Sequence, residues 1–348
     1  MSTSTPTADP VATARSTDDA PATVTMTLRD ALKQGLRDAL DRDPRVFLLG
    51  EDIGAYGGCF AVTMGLLDEY GPERIRDTPL SEIAIVGAAI GAAMNGLRPI
   101  AEIMTCNFSL LALDQIINNA ATLLHMSGGQ FNVPVVIRTT AGAGRQLAAQ
   151  HSHSFEPYFA HVPGIRVLSL ATHEDARGVL WPALEDPDPV ILFEYPRIMT
   201  LEAELPADPA AVDLTSAAIR RPGDDVTLIT YGAIQYTVLE AAAALADEGI
   251  DAEVIDLRSL RPLDDATLLA SVARTHRAVV VEEPWRTLGI GAEVAARITE
   301  EAFYELDAPV GRIGCVEVPL PYAKHLEDAA IPQVPRIVDA VRRVMHRG

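Results

Sequence analysis

Cysteine is scarce: Cys59, Cys106 and Cys315 are far apart in 348 residues and form no CxxC pair. That excludes a readable disulfide framework or cysteine zinc site and suits a reducing compartment. Positive charge is short as well, with 28 Lys and Arg against 48 Asp and Glu and a net charge of -20. Such a chain is ill matched to nucleic-acid phosphates and to anionic membrane surfaces, so neither is expected as a partner. Long apolar runs are missing too. The most apolar stretch, Ile83 to Met94, falls short of the roughly 18 residues a membrane span needs, and a soluble chain is expected. The phosphate-gripping sequences are also absent: no GxGxxG follows a strand, no GxxxxGK[ST] occurs, and no GDG is followed at a distance by Asn. If the chain handles a phosphorylated cofactor, the phosphate grip comes from elsewhere.

What is present reads as two α/β units. Residues 1–24 are rich in Ser, Thr, Ala and Pro and lack an apolar signal core, as expected of a flexible tail. Asp9, Asp18 and Asp19 against a single Arg15 are the wrong balance for an organellar leader, which places the chain in a cytoplasm. From Met26 onward helical and strand periods alternate. Helices are expected over 26–42 with Thr27 as N-cap, and over 61–70, 81–95, 110–126 and 174–184; strands are expected over 45–49, 98–104, 134–138, 166–170 and 190–194. Strands apolar throughout and separated by helices indicate a mostly parallel sheet covered on both faces. Residues 201–222, with Pro206, Pro209 and Pro222 and no clear period, read as a linker. The alternation restarts over 223–348, giving a second doubly wound α/β/α domain after the first at 25–200.

Ligands of such sheets bind at loops beyond the strand ends. Two loops qualify here, GEDIGAYGGCF after Leu49 and TTAGAGRQLAAQHSHS after Arg138. Glu82 stands at the mouth of a helix whose Ala84, Gly87, Ala88, Gly91 and Ala92 form a connected small-residue face, fit for close packing against another helix, plausibly of another subunit. Its carboxylate either favours the helix dipole or holds a proton on a heterocycle. Phe108 either fills the core or, flanked by polar Asn107 and Ser109, presents a flat ring to a cleft. In His151-Ser152-His153 a third metal ligand at convincing spacing and a GxSxG elbow are both missing, which leaves a single acid/base histidine.

The segments GEDIGAYGGCFAVTMGL, DTPLSEIAIVGAAIGAAMNGLRPIAEIM, NFSLLALDQIINNAA, MSGGQFNVP, AAQHSHSFEPYFAHVPG and VPLPYAKHLEDAAIPQV together resemble the beta subunit of the E1 component of 2-oxo acid dehydrogenase complexes. These are transketolase-like thiamine diphosphate enzymes, and the likeness spans roughly residues 25 to 345 in family order. The resemblance implies a pyrimidine-binding domain followed by a transketolase C-terminal-like domain. It implies a heterotetramer of two alpha and two beta subunits, active only with the alpha subunit, which grips the cofactor diphosphate through Mg²⁺. It further implies acyl transfer to the lipoyl group of an acyltransferase, the E2 component. Glu82 matches the glutamate that hydrogen-bonds N1′ of the aminopyrimidine, Phe108 the ring that stacks on it, and His151 the histidine beside the reacting acyl group. A potassium site built mainly from backbone oxygens matches Val135, Ala183, Leu184, Asp186 and Asp188, with a departure from the family pattern at EDPDP. MSGGQ, NFS and PYAKHLEDAAIPQV resemble the pyruvate enzymes, whereas RTTAGAG resembles acetoin-cleaving relatives. Pyruvate is the expected substrate; acetoin, a branched-chain 2-oxo acid, and a non-catalytic scaffold that keeps the fold are the alternatives.

Overall fold

A computed structural model of the chain describes residues 23–345. The expected tail therefore lies outside the described residues except for Thr23 and Val24, which already belong to a strand, β1 (Thr23–Thr27). Helix α1 (Leu28–Arg42) follows directly. Thr27 caps it by accepting the Asp30 N–H at 3.1 Å, and its Leu28, Leu32, Leu36 and Leu40 form the buried stripe that the spacing predicts.

The first domain continues through β2 (Val46–Gly50), α2 (Leu66–Tyr70), β3 (Ile75–Asp77), α3 (Glu82–Met94) and β4 (Arg98–Ile103). The helix expected over 110–126 is broken instead into a 3₁₀ turn at Phe108–Ala112, a π-helical stretch at Asp114–Ala120 and the short α4 (Leu123–Met126). Strand β5 (Val136–Thr140), α5 (Glu156–Ala160) and β6 (Arg166–Ser169) follow. The helix expected over 174–184 is two, α6 (His173–Gly178) and α7 (Leu180–Glu185), and β7 (Val190–Glu194) completes the domain.

The expected linker is more ordered than its prolines suggest. Strand β8 (Glu202–Pro206) pairs antiparallel with β1, Thr23 opposite Pro206, and β9 (Ala218–Arg221) is an antiparallel edge strand of the second sheet. Both are short and carry few apolar side chains, so their pattern is weak; backbone pairing to a distant partner makes them strands. The second domain then runs β10 (Val226–Thr230), α8 (Gln235–Asp247), β11 (Ala252–Asp256), β12 (Ser259–Arg261), α9 (Asp265–Thr275), β13 (Ala278–Trp285), α10 (Ile290–Ala302), β14 (Gly311–Cys315), α11 (Lys324–Ala330) and α12 (Val334–Met345).

The two larger sheets have orders β12-β6-β7-β5-β4-β2-β3 and β14-β13-β10-β11-β9. Every pairing is parallel except those of β12 and β9. Fully buried strands such as β2, β5, β7 and β10 explain the unbroken apolar runs, because both sheet faces are covered. Strand β12 was not anticipated. Only three residues long, it leaves the second domain to extend the first domain's sheet beside β6, so the two domains share a sheet edge. Among the described residues no helix is long and apolar enough to cross a membrane.

Candidate active site

The site is assembled from loops at the C-terminal ends of parallel strands. After β2 the glycine-rich loop turns back and is tied to the end of β3: Asp77 accepts the N–H groups of Gly54 at 2.6 Å and Ala55 at 3.0 Å. A Cβ on Gly54 would lie 2.6 Å from the Asp77 carboxylate, so this close approach requires glycine. The Thr78 N–H donates to the Gly50 carbonyl at 3.0 Å, which fixes the entry to α3.

Glu82 is the first residue of α3 and is buried, with Ile85 and Val86 beneath it and Ile83 facing outward. Ser81 contributes no side-chain cap, and its carbonyl takes the Ala84 and Ile85 N–H groups. Among the described residues no donor is hydrogen-bonded to the Glu82 carboxylate. The residue is buried as a whole, but its carboxylate oxygens are not among the fully buried atoms that lack a partner, so they face the open side of the site. Nearby, burial and then the charges of Asp52 and Glu82 push the Glu51 carboxyl above its ordinary range. Three carboxylates this close disfavour a phosphate here.

Helix α3 packs on the 3₁₀ turn that begins at Phe108. That turn is fastened to the end of β5, where Cys106 N–H donates to the Thr140 carbonyl at 2.7 Å and Thr140 Oγ1 donates to the Met104 carbonyl at 2.7 Å. Phe108 is half-buried, and its ring meets the His151 ring edge to face, with centroids 5.1 Å apart and planes at 78°. His151 is exposed at the end of a 3₁₀ turn, Ala149–His151. Asn107 Nδ2 donates to the Ala149 carbonyl at 3.1 Å, so the residue beside Phe108 holds the turn that carries His151.

The two histidines of His151-Ser152-His153 divide. His153 points inward against Trp285, at 4.9 Å between centroids, and burial pushes its pKa down. Its Nε2 and the Oγ atoms of Ser152 and Ser154 are buried without partners. No group of three or more His, Cys, Asp or Glu among the described residues is arranged to hold a metal ion.

The five residues matched to a potassium site lie together where α7 ends and β7 begins. Ala183 and Leu184 are buried in the last turn of α7, where carbonyls point out and favour a cation. Val135 gives its carbonyl to the Val190 N–H at 3.0 Å. The Asp186 carboxylate is engaged, with Arg166 Nε at 2.5 Å and the Asp188 N–H at 2.9 Å. Burial raises the Asp188 carboxyl, with Asp186 adding to the shift. The Val135 carbonyl and the Asp186 side chain are thus already engaged, the latter by Arg166.

Two buried networks escaped the sequence reading because their members are distant in the chain. Arg138 donates to Glu194 at 2.7 and 3.0 Å and to Glu102 at 2.9 Å. Between the domains, Tyr195 bridges Ser169 and Glu156 at 2.7 Å each, and Tyr231 donates to Glu282 at 3.1 Å. Burial pushes Glu156 up to about 8 and Glu282 up to about 7.

Comparison with known proteins agrees with this architecture. The model of the transketolase pyrimidine-binding domain matches residues 24–200, and that of the transketolase C-terminal domain matches residues 215–337. The fold is that of a solved chain described as a split-gene transketolase in an inactive beta4 tetramer, with a TM-score of 0.77 at 24% identity, covering 92% of this chain and 98% of that one. This is the two-domain transketolase class of thiamine enzymes. Within it, the Drosophila melanogaster mitochondrial pyruvate dehydrogenase E1 component subunit beta is 49% identical over 92% of this chain and 89% of its own length. The human mitochondrial counterpart is 45% identical over 94% of this chain and 92% of its own length. The chain belongs to the family of beta subunits of the pyruvate dehydrogenase E1 component.

Proposed function

We propose that this chain supplies the pyrimidine and acyl side of a thiamine diphosphate site shared with an alpha subunit, and that the enzyme decarboxylates pyruvate and passes the acetyl group to a lipoylated acyltransferase. The observation that carries this is Glu82, a mostly buried residue whose carboxylate has no hydrogen-bond donor among the described residues, on a helix packed against the turn where Phe108 meets His151 edge to face. A ring nitrogen presented to Glu82 would satisfy the carboxylate and be held for proton exchange. The half-buried face of Phe108 fits a flat heterocycle. His151, exposed and edge-on to that ring, is placed to hold or move a proton on the reacting acyl group. Bound thiamine diphosphate supplies the electron sink for decarboxylation.

The rest of the grip belongs to the partner in this reading. Glu51, Asp52 and Glu82 disfavour phosphate here, and no acidic cluster among the described residues suits Mg²⁺, so the diphosphate and its metal fall to the alpha subunit of an alpha2beta2 assembly. A potassium ion rests in this reading on the carbonyls of Val135, Ala183 and Leu184 and on Asp188, with Asp186 contributing backbone only.

Glu82→Gln keeps the shape and removes the ionisable group. In enzyme assembled with an alpha subunit, decarboxylation is expected to fall about a hundredfold or more, the scale of a lost general acid/base. Unchanged turnover would favour a scaffold role. The same assembly tested with pyruvate, acetoin and 3-methyl-2-oxobutanoate assigns the substrate, and a preference for either of the latter two would overturn pyruvate.

A further inference from the structure

The loop that carries His151 leaves β5 in the first domain but is fastened by the second. Its Ala143 N–H donates to Glu283 Oε1 at 2.5 Å, and its Gln146 N–H donates to Glu327 Oε1 at 3.2 Å. Glu283 lies on β13 and Glu327 on α11, and both are buried. Ala143 itself sits in a small apolar cluster with Cys315, Leu320, Ala330 and Ile331, all from the second domain. Further along the loop, the ring of His153 rests on Trp285 of the same domain.

The loop backbone is shaped for these contacts. Gly142 has φ +90°, which strains any other residue, and a Cβ there would lie 2.7 Å from Glu283 Oε1 and push that carboxylate away. Gln146 and Ala148 hold φ of 57° and 61°, a left-handed conformation that non-glycine residues keep only when their surroundings enforce it. Among the described residues Glu327 has no other side-chain hydrogen bond than the one to Gln146. Glu283 also pairs with Arg197 at 3.5 Å, whereas the buried Glu327 carboxylate is given to one neutral loop N–H, an expensive way to stabilise a fold and an effective way to fix one loop.

We propose that Glu283 and Glu327 are positioning residues, by which the C-terminal domain holds the loop so that His151 stays against Phe108. The proposal rests on the reading of His151 as the group beside the reacting acyl unit. Its test uses the enzyme assembled with an alpha subunit and four variants: Glu327→Leu, which keeps volume and removes both oxygens; Glu327→Gln, which keeps an acceptor; His151→Ala; and the Glu327→Leu/His151→Ala pair. Glu327→Ala replaces Glu327→Leu should the latter not fold.

Three quantities are read: decarboxylation with an artificial electron acceptor, acetyl transfer to a lipoyl domain, and hydrogen exchange of residues 141–153 in the cofactor-free chain. Glu327→Leu is expected to speed exchange of the loop amides about tenfold, the scale of one lost charge-assisted hydrogen bond. Acetyl-transfer kcat is expected to fall about tenfold, with KM for pyruvate changed less than about twofold. Glu327→Gln restores most of both, and the paired variant transfers no more slowly than His151→Ala alone. Unchanged exchange in Glu327→Leu, or additive losses in the pair, would overturn the proposal. Full transfer by His151→Ala would instead sink the reading of the site, while the exchange measurement still decides whether the carboxylate holds the loop.

Discussion

Glu156 opens α5 just after the histidine loop, its Oε1 taking the Tyr195 hydroxyl and its Oε2 buried without a partner. Burial raises it from 4.5 to about 8, with Glu283 and Glu282 adding repulsion. A carboxyl that ionises less readily folded than unfolded binds more protons in the folded state, so stability falls as pH rises from the unfolded value near 4.5 through the folded value of about 8. Glu282, raised to about 7, acts in the same direction. Glu156→Gln cannot ionise. Thermal unfolding of the variant is therefore expected to lose less between pH 6 and pH 8 than the parent does; an equal loss would mean that Glu156 is not a source of the pH dependence. At this scale the sequence singled out Glu82, Phe108 and His151 as candidates by their surroundings and by the family resemblance, and the structure brings the Phe108 and His151 rings together. The sequence did not reveal Glu156 with Tyr195, or Arg138 with Glu102 and Glu194, whose partners lie 36 to 56 residues apart. Charge compensation across strands leaves no local pattern.

Elements with a strong period and a local stop signal were legible. Helix α1 begins where Thr27 predicts, because the cap is chemistry within three residues: the Thr27 hydroxyl accepts the Asp30 N–H. Thr27→Ala should cost about 1 kcal/mol in denaturant unfolding, and no loss would show that the β1–β8 pairing alone fixes the start of the helix. Elements defined by distant pairing were not legible. Strands β8, β9 and β12 are too short and too poor in apolar residues to stand out, and they form by pairing with the edges of β1, β11 and β6. The expected helix over 110–126 fails for another reason. Its apolar residues recur at helical spacing, yet the chain must place Phe108 and bury Ser109 beside β5, and the backbone accommodates this by tightening to 3₁₀ and then widening to π.

At the scale of the molecule, a set of exposed apolar side chains lies beside the candidate site. Leu80 and Ile83 at the start of α3, Leu110 and Leu111 in the adjoining 3₁₀ turn, and Met126 and Phe131 beyond it are all exposed, beside the small residues Ala84 and Ala88. Scattered exposed apolar residues need no explanation, but a contiguous set on packed elements beside a half-site does. In the proposed assembly an alpha subunit seated here would bring its diphosphate grip against the pyrimidine side, with the small face of α3 as the docking surface. Leu111 is 61% exposed, so Leu111→Asp should alter the stability of the isolated chain by no more than about 0.5 kcal/mol. A charge buried at an interface without a partner is strongly unfavourable, so the same substitution should abolish co-purification with a co-expressed alpha subunit. Retained association, with the elution volume of the unmodified assembly, would place the shared surface elsewhere and leave the exposed apolar set on α3 and its neighbouring turn without a role.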